Sequence, residues 1–183
     1  MADTEFLDRY EKTLSDGLLK VCQGAGLIDC AELLDSPDIS GKWDEYIKDY
    51  VADAVDNFNE YPQSALAWAA FLGLGVANCW DTAFEAFKAA PYKSYYGARG
   101  YDDMDEHILH DLLGLDLEGE EAKKISDTFN SLALYTLGLI RHEEIEPQTS
   151  LGFFVLTRSY TVFFRIGATI GLKRLGYRKI NLK

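Results

Sequence analysis

His107 and His110 stand three residues apart, so any helix carrying them puts both on one side, and Asp103 and Asp111 fall within the same two turns. Imidazole nitrogen beside carboxylate oxygen is a donor set that suits zinc, iron or manganese. His107, His110 and Asp111 are therefore a candidate metal site. The alternative is a pair of exposed histidines on an acidic amphipathic helix. The carboxylate-bridged di-metal pattern of helical bundles requires Glu-x-x-His. No histidine here follows it, since positions 104, 107 and 139 are Met, His and Leu. The third histidine, His142, sits beside Glu143 and Glu144 at the far end of a later helix. At about 1.5 Å per residue that is on the order of 30 Å from His110, which excludes one shared three-histidine site.

Nucleophilic and nucleotide chemistry leave no trace in the spacing. There is no G-x-S-x-G elbow and no glycine-rich phosphate loop ending in Lys-Ser/Thr, and Gly97-Ala-Arg-Gly100 is too short for a dinucleotide fingerprint. No motif implies a cofactor. Residues 91–101 are a different matter. Tyr92, Tyr95, Tyr96 and Tyr101 surround Lys93 and Arg99 on a stretch with neither helical nor strand period. Tyrosine and arginine are enriched at binding hot spots, and loops carry function. Tyr95, Tyr96, Arg99 and Tyr101 are thus candidates for recognising a partner or ligand. Against this stands a loop whose tyrosines simply pack onto the body with their hydroxyls wet.

A third group comes from charge. All thirty acids lie between Asp3 and Glu146, and residues 147–183 carry none. That last stretch holds Arg158, Arg165, Lys173, Arg174, Arg178, Lys179 and Lys183. Residues 151–172 are apolar around most of a helical circumference, and a helix of that kind belongs in an interior. Gly167 and Gly171 share a face and invite close approach by another helix. Arg158 and Arg165, seven apart, share a face as well. Interior guanidinium groups need acceptors. A hairpin of the last two helices would bring Arg165 near Phe129 and Asp127, and Lys173 near Glu121. An antiparallel neighbour ending at Lys88 would bring Arg158 near Asp81 and Glu85. Ion pairs of Arg158 and Arg165 with Asp81, Glu85 and Asp127 are the expectation. An anion pocket between helices is the functional version of the same grouping.

The elements that must hold these residues follow from a helical period that runs almost throughout. Leu7, Tyr10, Leu14, Leu18 and Val21 form a stripe that stops at Gly24-Ala-Gly26. A short helix is expected over residues 29–34. Trp43, Ile47, Tyr50 or Val51, Ala54 and Phe58 form the next stripe. Pro62 suits the first position of a helix running to about Lys88. Asp102 is expected to cap a helix reaching Leu113, and Asp116 to cap one over residues 118–144. Pro147 breaks that helix, and Thr149 or Ser150 starts the last one, which ends near Arg174 before Gly176. No alternation suggests a sheet. The chain is expected to be all-α: one domain over residues 1–183, a bundle of about six or seven helices with a largely buried C-terminal helix and a basic tail of about eight residues.

Composition narrows the function without naming it. Of 183 residues, 48% are hydrophobic and the net charge is −12. That balance argues against phosphate-backbone binding, so nucleic acid is an unlikely partner. Residues 64–80 and 151–172 reach spanning length, but Asn78, Gly73 and Gly75 weaken the first, and Arg158 and Arg165 interrupt the second. No membrane association is expected. Cys22, Cys30 and Cys79 have no zinc or disulfide spacing. With no leader at the N-terminus either, the expectation is a cytoplasmic protein with reduced thiols. The function expected is that of a non-enzymatic interaction or regulatory module, its partner another protein or a second copy of the chain. The competing expectation is a small-molecule- or metal-binding enzyme with a site between helices, at Arg158 and Arg165 with Asp81 and Glu85, or at His107 and His110.

Overall fold

A computed structural model describes residues 3–58 and 60–179. Seven α-helices and no strand are present among them. In α1 (Thr4–Gly24) the Asp3 side chain accepts from the Phe6 N–H, and Leu7, Tyr10, Leu14 and Leu18 are buried. Pro37 opens α2 (Pro37–Phe58), where a missing N–H does no harm, and Ser36 Oγ accepts from the Ile39 N–H. Pro62 likewise opens α3 (Pro62–Thr82), which is buried from Ala65 to Asn78 except at the partly exposed Trp68. After α4 (Phe84–Ala89) come 3-10 turns at Tyr92–Tyr95 and Tyr101–Asp103. Then α5 (Met104–Glu106) widens into a π-helical turn at His107–Leu112. Last are α6 (Glu120–His142) and α7 (Ser150–Arg174).

The buried C-terminal helix stands as expected, and its cap chemistry explains its ends. Thr149 Oγ1 accepts from the Gly152 N–H at 3.0 Å. At the other end Gly176 takes φ +95°, and the Tyr177 and Gly176 N–H groups return to the Leu172 and Lys173 carbonyls. Between these caps α7 lies against α3 with almost no side chain separating them. A Cβ added at Gly167 would land on the Ala70 carbonyl, and one at Gly73 on the Phe164 carbonyl. Among the described residues no helix is long and apolar enough to cross a membrane. The small-residue crossing is a device for packing two largely apolar helices closely inside a core.

Residue pairings set the directions. Ala70 meets Gly167, and Leu74 and Ala77 meet Gly171, so α3 runs parallel to α7. The same holds for α1, whose Tyr10 hydroxyl is 2.7 Å from Ser159 Oγ while Asp29, just beyond its end, reaches Lys173. The second helix is antiparallel: Tyr50 packs on Tyr160 and Trp43 stacks on Phe164. The sixth is antiparallel too but does not lie face to face with α7. It crosses α1 and α3 instead, with Phe129 against Phe71 and Tyr135 over Gly17.

Four local expectations change. Residues 29–34 form no helix, because the Leu34 N–H and C=O both bond to Thr169 Oγ1 of α7. A single turn left alone is too short to propagate against that competition. The third helix ends at Thr82, not Lys88, and the break at Ala83 turns α4 so that Phe87 enters the core. Asp116 accepts from the Glu118 N–H in a turn ahead of α6 and does not cap it. Asp102 lies within a 3-10 turn, and the helix beyond it is π-wound. That wider turn lets Ile108 and Leu109 both face inward, and Asn78 Nδ2 donates to the Leu112 carbonyl at its end. Of the basic tail, residues 180–183, with Lys183, lie outside the described residues.

Candidate functional site

The directions just described bring three chain ends to one place. Because α1 and α7 are parallel and α6 opposes them, the loop after α1, the first turns of α6 and the last turn of α7 converge. They enclose a solvent-open cleft of about 710 Å³. Leu27, Ile28, Ile125 and Ile170 give it an apolar lining. Around them stand four cations, Lys124, Lys173, Arg174 and Arg178, and two acids, Asp29 and Glu121. Lys173 Nζ donates to Asp29 Oδ1 at 2.7 Å, and Arg174 Nε donates to Glu121 Oε1 at 2.7 Å. Hydrogen bonding to Lys173 holds the Asp29 carboxyl below its usual range, and Asp29 holds the Lys173 ammonium above its own. Lys124 arches over Gly26, where φ is +78° and a Cβ would lie 3.0 Å from Nζ. Among the described residues neither Lys124 nor Arg178 has an acidic partner.

The signal for this cleft was the acid-free stretch from 147 onward. Lys173 was placed near Glu121 from the sequence; Asp29 takes it, and Arg174, the next residue, takes Glu121. The grouping of Arg158 and Arg165 with Asp81, Glu85 and Asp127 is overturned. Arg158 Nη1 lies 3.0 Å from Asp8 Oδ1 and 2.5 Å from Glu11 Oε2, and Arg165 Nη1 lies 3.4 Å from Glu11 Oε1. Both guanidinium groups are half-exposed, not interior, at 34% and 45% side-chain exposure. The cause is direction. With α3 parallel to α7, Asp81 meets the far end of α7 and accepts from the Tyr177 hydroxyl, while Glu85 pairs with Lys88 on exposed α4.

The tyrosine-rich segment turns inward. Tyr92 and Tyr95 are buried, and Tyr92 donates to Asp53 Oδ2 at 2.7 Å. Tyr96 donates to the same carboxylate. Tyr101 hydroxyl is 3.2 Å from that of Tyr50, and its carbonyl accepts from Trp68 Nε1. Arg99 closes a local clamp, its Nε and Nη2 on both oxygens of Asp103 and its N–H on Oδ2. Those bonds hold the Asp103 carboxyl below its usual range. Tyr95, Tyr96, Arg99 and Tyr101 therefore have intramolecular roles, and the aromatic rings are not a free recognition face. Periodicity does not reveal which way a loop tyrosine points.

His107, His110 and Asp111 do come together, on the π-helical turn. Each histidine Nδ1 lies 2.8 Å from a different Asp111 oxygen, and these bonds, from His110 first, lower the Asp111 carboxyl. A recess of about 160 Å³ beside them also touches Asp103 and Glu106. Asp111 is thus engaged by imidazoles on both oxygens. Among the described residues no set of three or more His, Cys, Asp or Glu side chains is arranged to hold a metal ion.

One neighbour of this recess has a measurable consequence. Burial pushes the Asp105 carboxyl up to about 6, helped by the charges of Glu106 and Asp103. Between about pH 4 and pH 6 the folded chain keeps a proton that the unfolded chain has lost, so stability falls as pH rises through that window. Asp105→Asn is expected to raise stability at pH 7.5 by about 1–2 kcal/mol after allowance for partial solvent screening. The difference should vanish at pH 3.5. Urea titrations of both proteins at the two pH values provide the check, and an equal gain at both would refute the assignment to Asp105.

Comparisons with family models, with curated proteins and with solved structures gave no match for this chain.

Proposed function

We propose that the protein is a non-enzymatic binding module and that the cleft between α1, α6 and α7 receives its ligand, a small molecule with a carboxylate or phosphate on an apolar body. The observation that carries this reading is the imbalance of charge around an apolar lining. Lys173 and Arg174 are each paired with an acid, yet Lys124 and Arg178 line the same cleft with no acidic partner among the described residues. Two cations on one cleft without ion-pair partners leave it with an excess of positive charge, which an anion bound there would offset. Isoleucine and leucine side chains would cover the rest of the ligand. The cleft offers charge and apolar contact, not a nucleophile beside a base, so binding and not turnover is the activity inferred. The volume of about 710 Å³ lies within the range of small-molecule sites.

Titration calorimetry with octanoate, octanol and inorganic phosphate tests this. Octanoate is expected to bind one-to-one, more tightly than either the uncharged alcohol or the anion without a tail, and less tightly as salt is raised. Reversing both free cations, Lys124→Glu with Arg178→Glu, should weaken octanoate at least tenfold. Equal binding of octanoate and octanol, or no effect of the reversal, would reject the cleft.

A second reading, a protein partner, is favoured by one observation. Phe153 and Phe154 pack on each other at 5.8 Å at the start of α7 and are 47% and 42% exposed. Adjacent exposed aromatics are a feature of interfaces.

A further inference from the structure

Phe153 and Phe154, the exposed aromatic pair that opens α7, share their end of the molecule with carboxylates that have nothing to pair with. The register of the helices places them. Tyr10 meets Ser159 across parallel α1, so Glu5 is level with Phe154. Tyr50 packs on Tyr160 across antiparallel α2, which brings Asp56 to the same end. Tyr135 of α6 covers Gly17 of α1, and α6 then runs on toward the start of α1. The loop that follows folds back onto the first turn of α7, where a Cβ at Gly152 would land on the Glu146 carbonyl. Glu5, Asp56, Glu143, Glu144 and Glu146 are all exposed, and none forms an ion pair among the described residues. Arg158 is already held by Asp8 and Glu11. Arg9 and Arg141 therefore leave the acids of this end in excess.

The end of α6 shows the same bias against its own local interest. The Ile145 N–H returns to the Ile140 carbonyl and the Glu144 N–H to that of Arg141, a closing turn whose left-handed position ordinarily falls to glycine. Here Glu144 fills it at φ +54°, alone among the described non-glycine residues. Negative charge at Glu143 and Glu144 also opposes the helix dipole, which favours cations at a C-terminus. Neither choice helps α6, and both put carboxylates on the loop that leads to the aromatic pair.

We propose that this end of the molecule docks a lysine- or arginine-rich amphipathic segment of another protein. Its apolar side chains cover Phe153 and Phe154, and its cations meet Glu143, Glu144 and Glu146. Charge selects the occupant, since the same carboxylates repel nucleic acid and anionic lipid. The site rests on the reading of the aromatic pair as an interface and is independent of the cleft. Lys173, at the cleft, is nineteen residues along α7 from Phe154, about 28 Å away.

Three synthetic probes test this: a peptide of leucine and lysine at helical spacing, its counterpart with glutamate for lysine, and oligolysine. Fluorescence anisotropy of the labelled peptides is expected to show one-to-one binding of the leucine–lysine peptide, at least tenfold tighter than either of the others and weaker as salt is raised. Phe153→Ser with Phe154→Ser, both at exposed positions, should weaken it about tenfold and melt with the parent. Glu143→Gln, Glu144→Gln and Glu146→Gln together should weaken it about as much and flatten the salt dependence. The same charge change at Glu85, Glu118 and Glu120, toward the other end, should leave binding unaltered. Glu144→Gly alone should raise the melting temperature while loosening the peptide, a divergence that a purely structural glutamate would not give. Octanoate at saturation should not compete. Equal weakening by the two glutamine triples would overturn the proposal, because net charge alone would then explain binding. Peptide binding unchanged by the serine pair overturns it too. Preference for the glutamate peptide, lost with the serine pair, would keep the interface and reject the basic partner. Concentration-dependent dimerisation on sedimentation, abolished by the serine pair without any peptide binding, would assign the face to a second copy and reject it likewise.

Discussion

Gly167→Ala is expected to cost about 3 kcal/mol or more, although it adds a single methyl group. Introducing atoms into a well-packed core costs about 1–3 kcal/mol when neighbours can adjust. Here the obstacle is the Ala70 carbonyl of α3, a backbone atom that moves only if the whole helix moves. Separating α3 from α7 would also open the contacts of Gly73 with Phe164 and of Gly171 with Leu74 and Ala77. In a domain of this size the loss corresponds to a fall of roughly 6–12 °C in Tm. Gly138→Ala serves as the control. Gly138 lies within α6, and a Cβ there meets nothing within 4 Å. Relief of glycine's backbone entropy should raise stability by about 0.5–1 kcal/mol. Thermal and urea unfolding of the two variants separate the cases. A Gly167→Ala protein as stable as the parent would mean that α3 and α7 do not cross at this distance.

Tyr50→Ala should be the costliest truncation in the aromatic core, about 3–5 kcal/mol, the range for a large buried ring. Tyr50 is fully buried, and its ring touches Trp43, Tyr92, Tyr101 and Tyr160, which come from three different parts of the chain. Its hydroxyl donates to the Ala65 carbonyl of α3 at 2.5 Å and faces the Tyr101 hydroxyl. Tyr50→Phe keeps the ring and removes only the polar atom, so about 1 kcal/mol is expected. The comparison decides whether ring packing or hydrogen bonding fastens the tyrosine-rich segment to α2 and α3. Equal losses in the two variants would assign the effect to the hydroxyl and contradict the packing account. Urea titration at neutral pH suffices for the measurement.

Both predictions concern residues that differed in how far sequence alone could place them. The pairing of Gly167 and Gly171 on one face, inside a helix apolar nearly all round, was enough to expect a close crossing in the interior. Its partner was not, because Ala70 and Gly73 belong to a helix more than ninety residues earlier, and helical periodicity says nothing about which distant face it meets. Tyr95 and Tyr101 stand out by residue type, and the sequence leaves open both an outward, binding direction and packing onto the body; packing is what the structure shows. Residue type marks an aromatic side chain as able to bind, while only the packing of α2 and α3 beneath it makes inward burial more favourable than exposure.

Direction is the common element. Caps, prolines and positive-φ glycines act over a few residues, and accordingly Thr149, Pro62 and Gly176 mark boundaries that the sequence alone located. The all-α class and the buried last helix follow from the same local physics summed over long stripes. Parallel alignment of α3 with α7, and the placing of α6 across α1 and α3 and not against its neighbour in sequence, depend on which surfaces exclude most water together. Those alignments moved Arg158 to Glu11, gave Lys173 to Asp29, and gathered Lys124 and Arg178 at one cleft. Charge distribution along the chain therefore announced that a basic end would meet acids. The tertiary structure alone decided which acids were used up and which cations remained, because ion pairing depends on proximity in space and each carboxylate serves the partner that packing brings nearest.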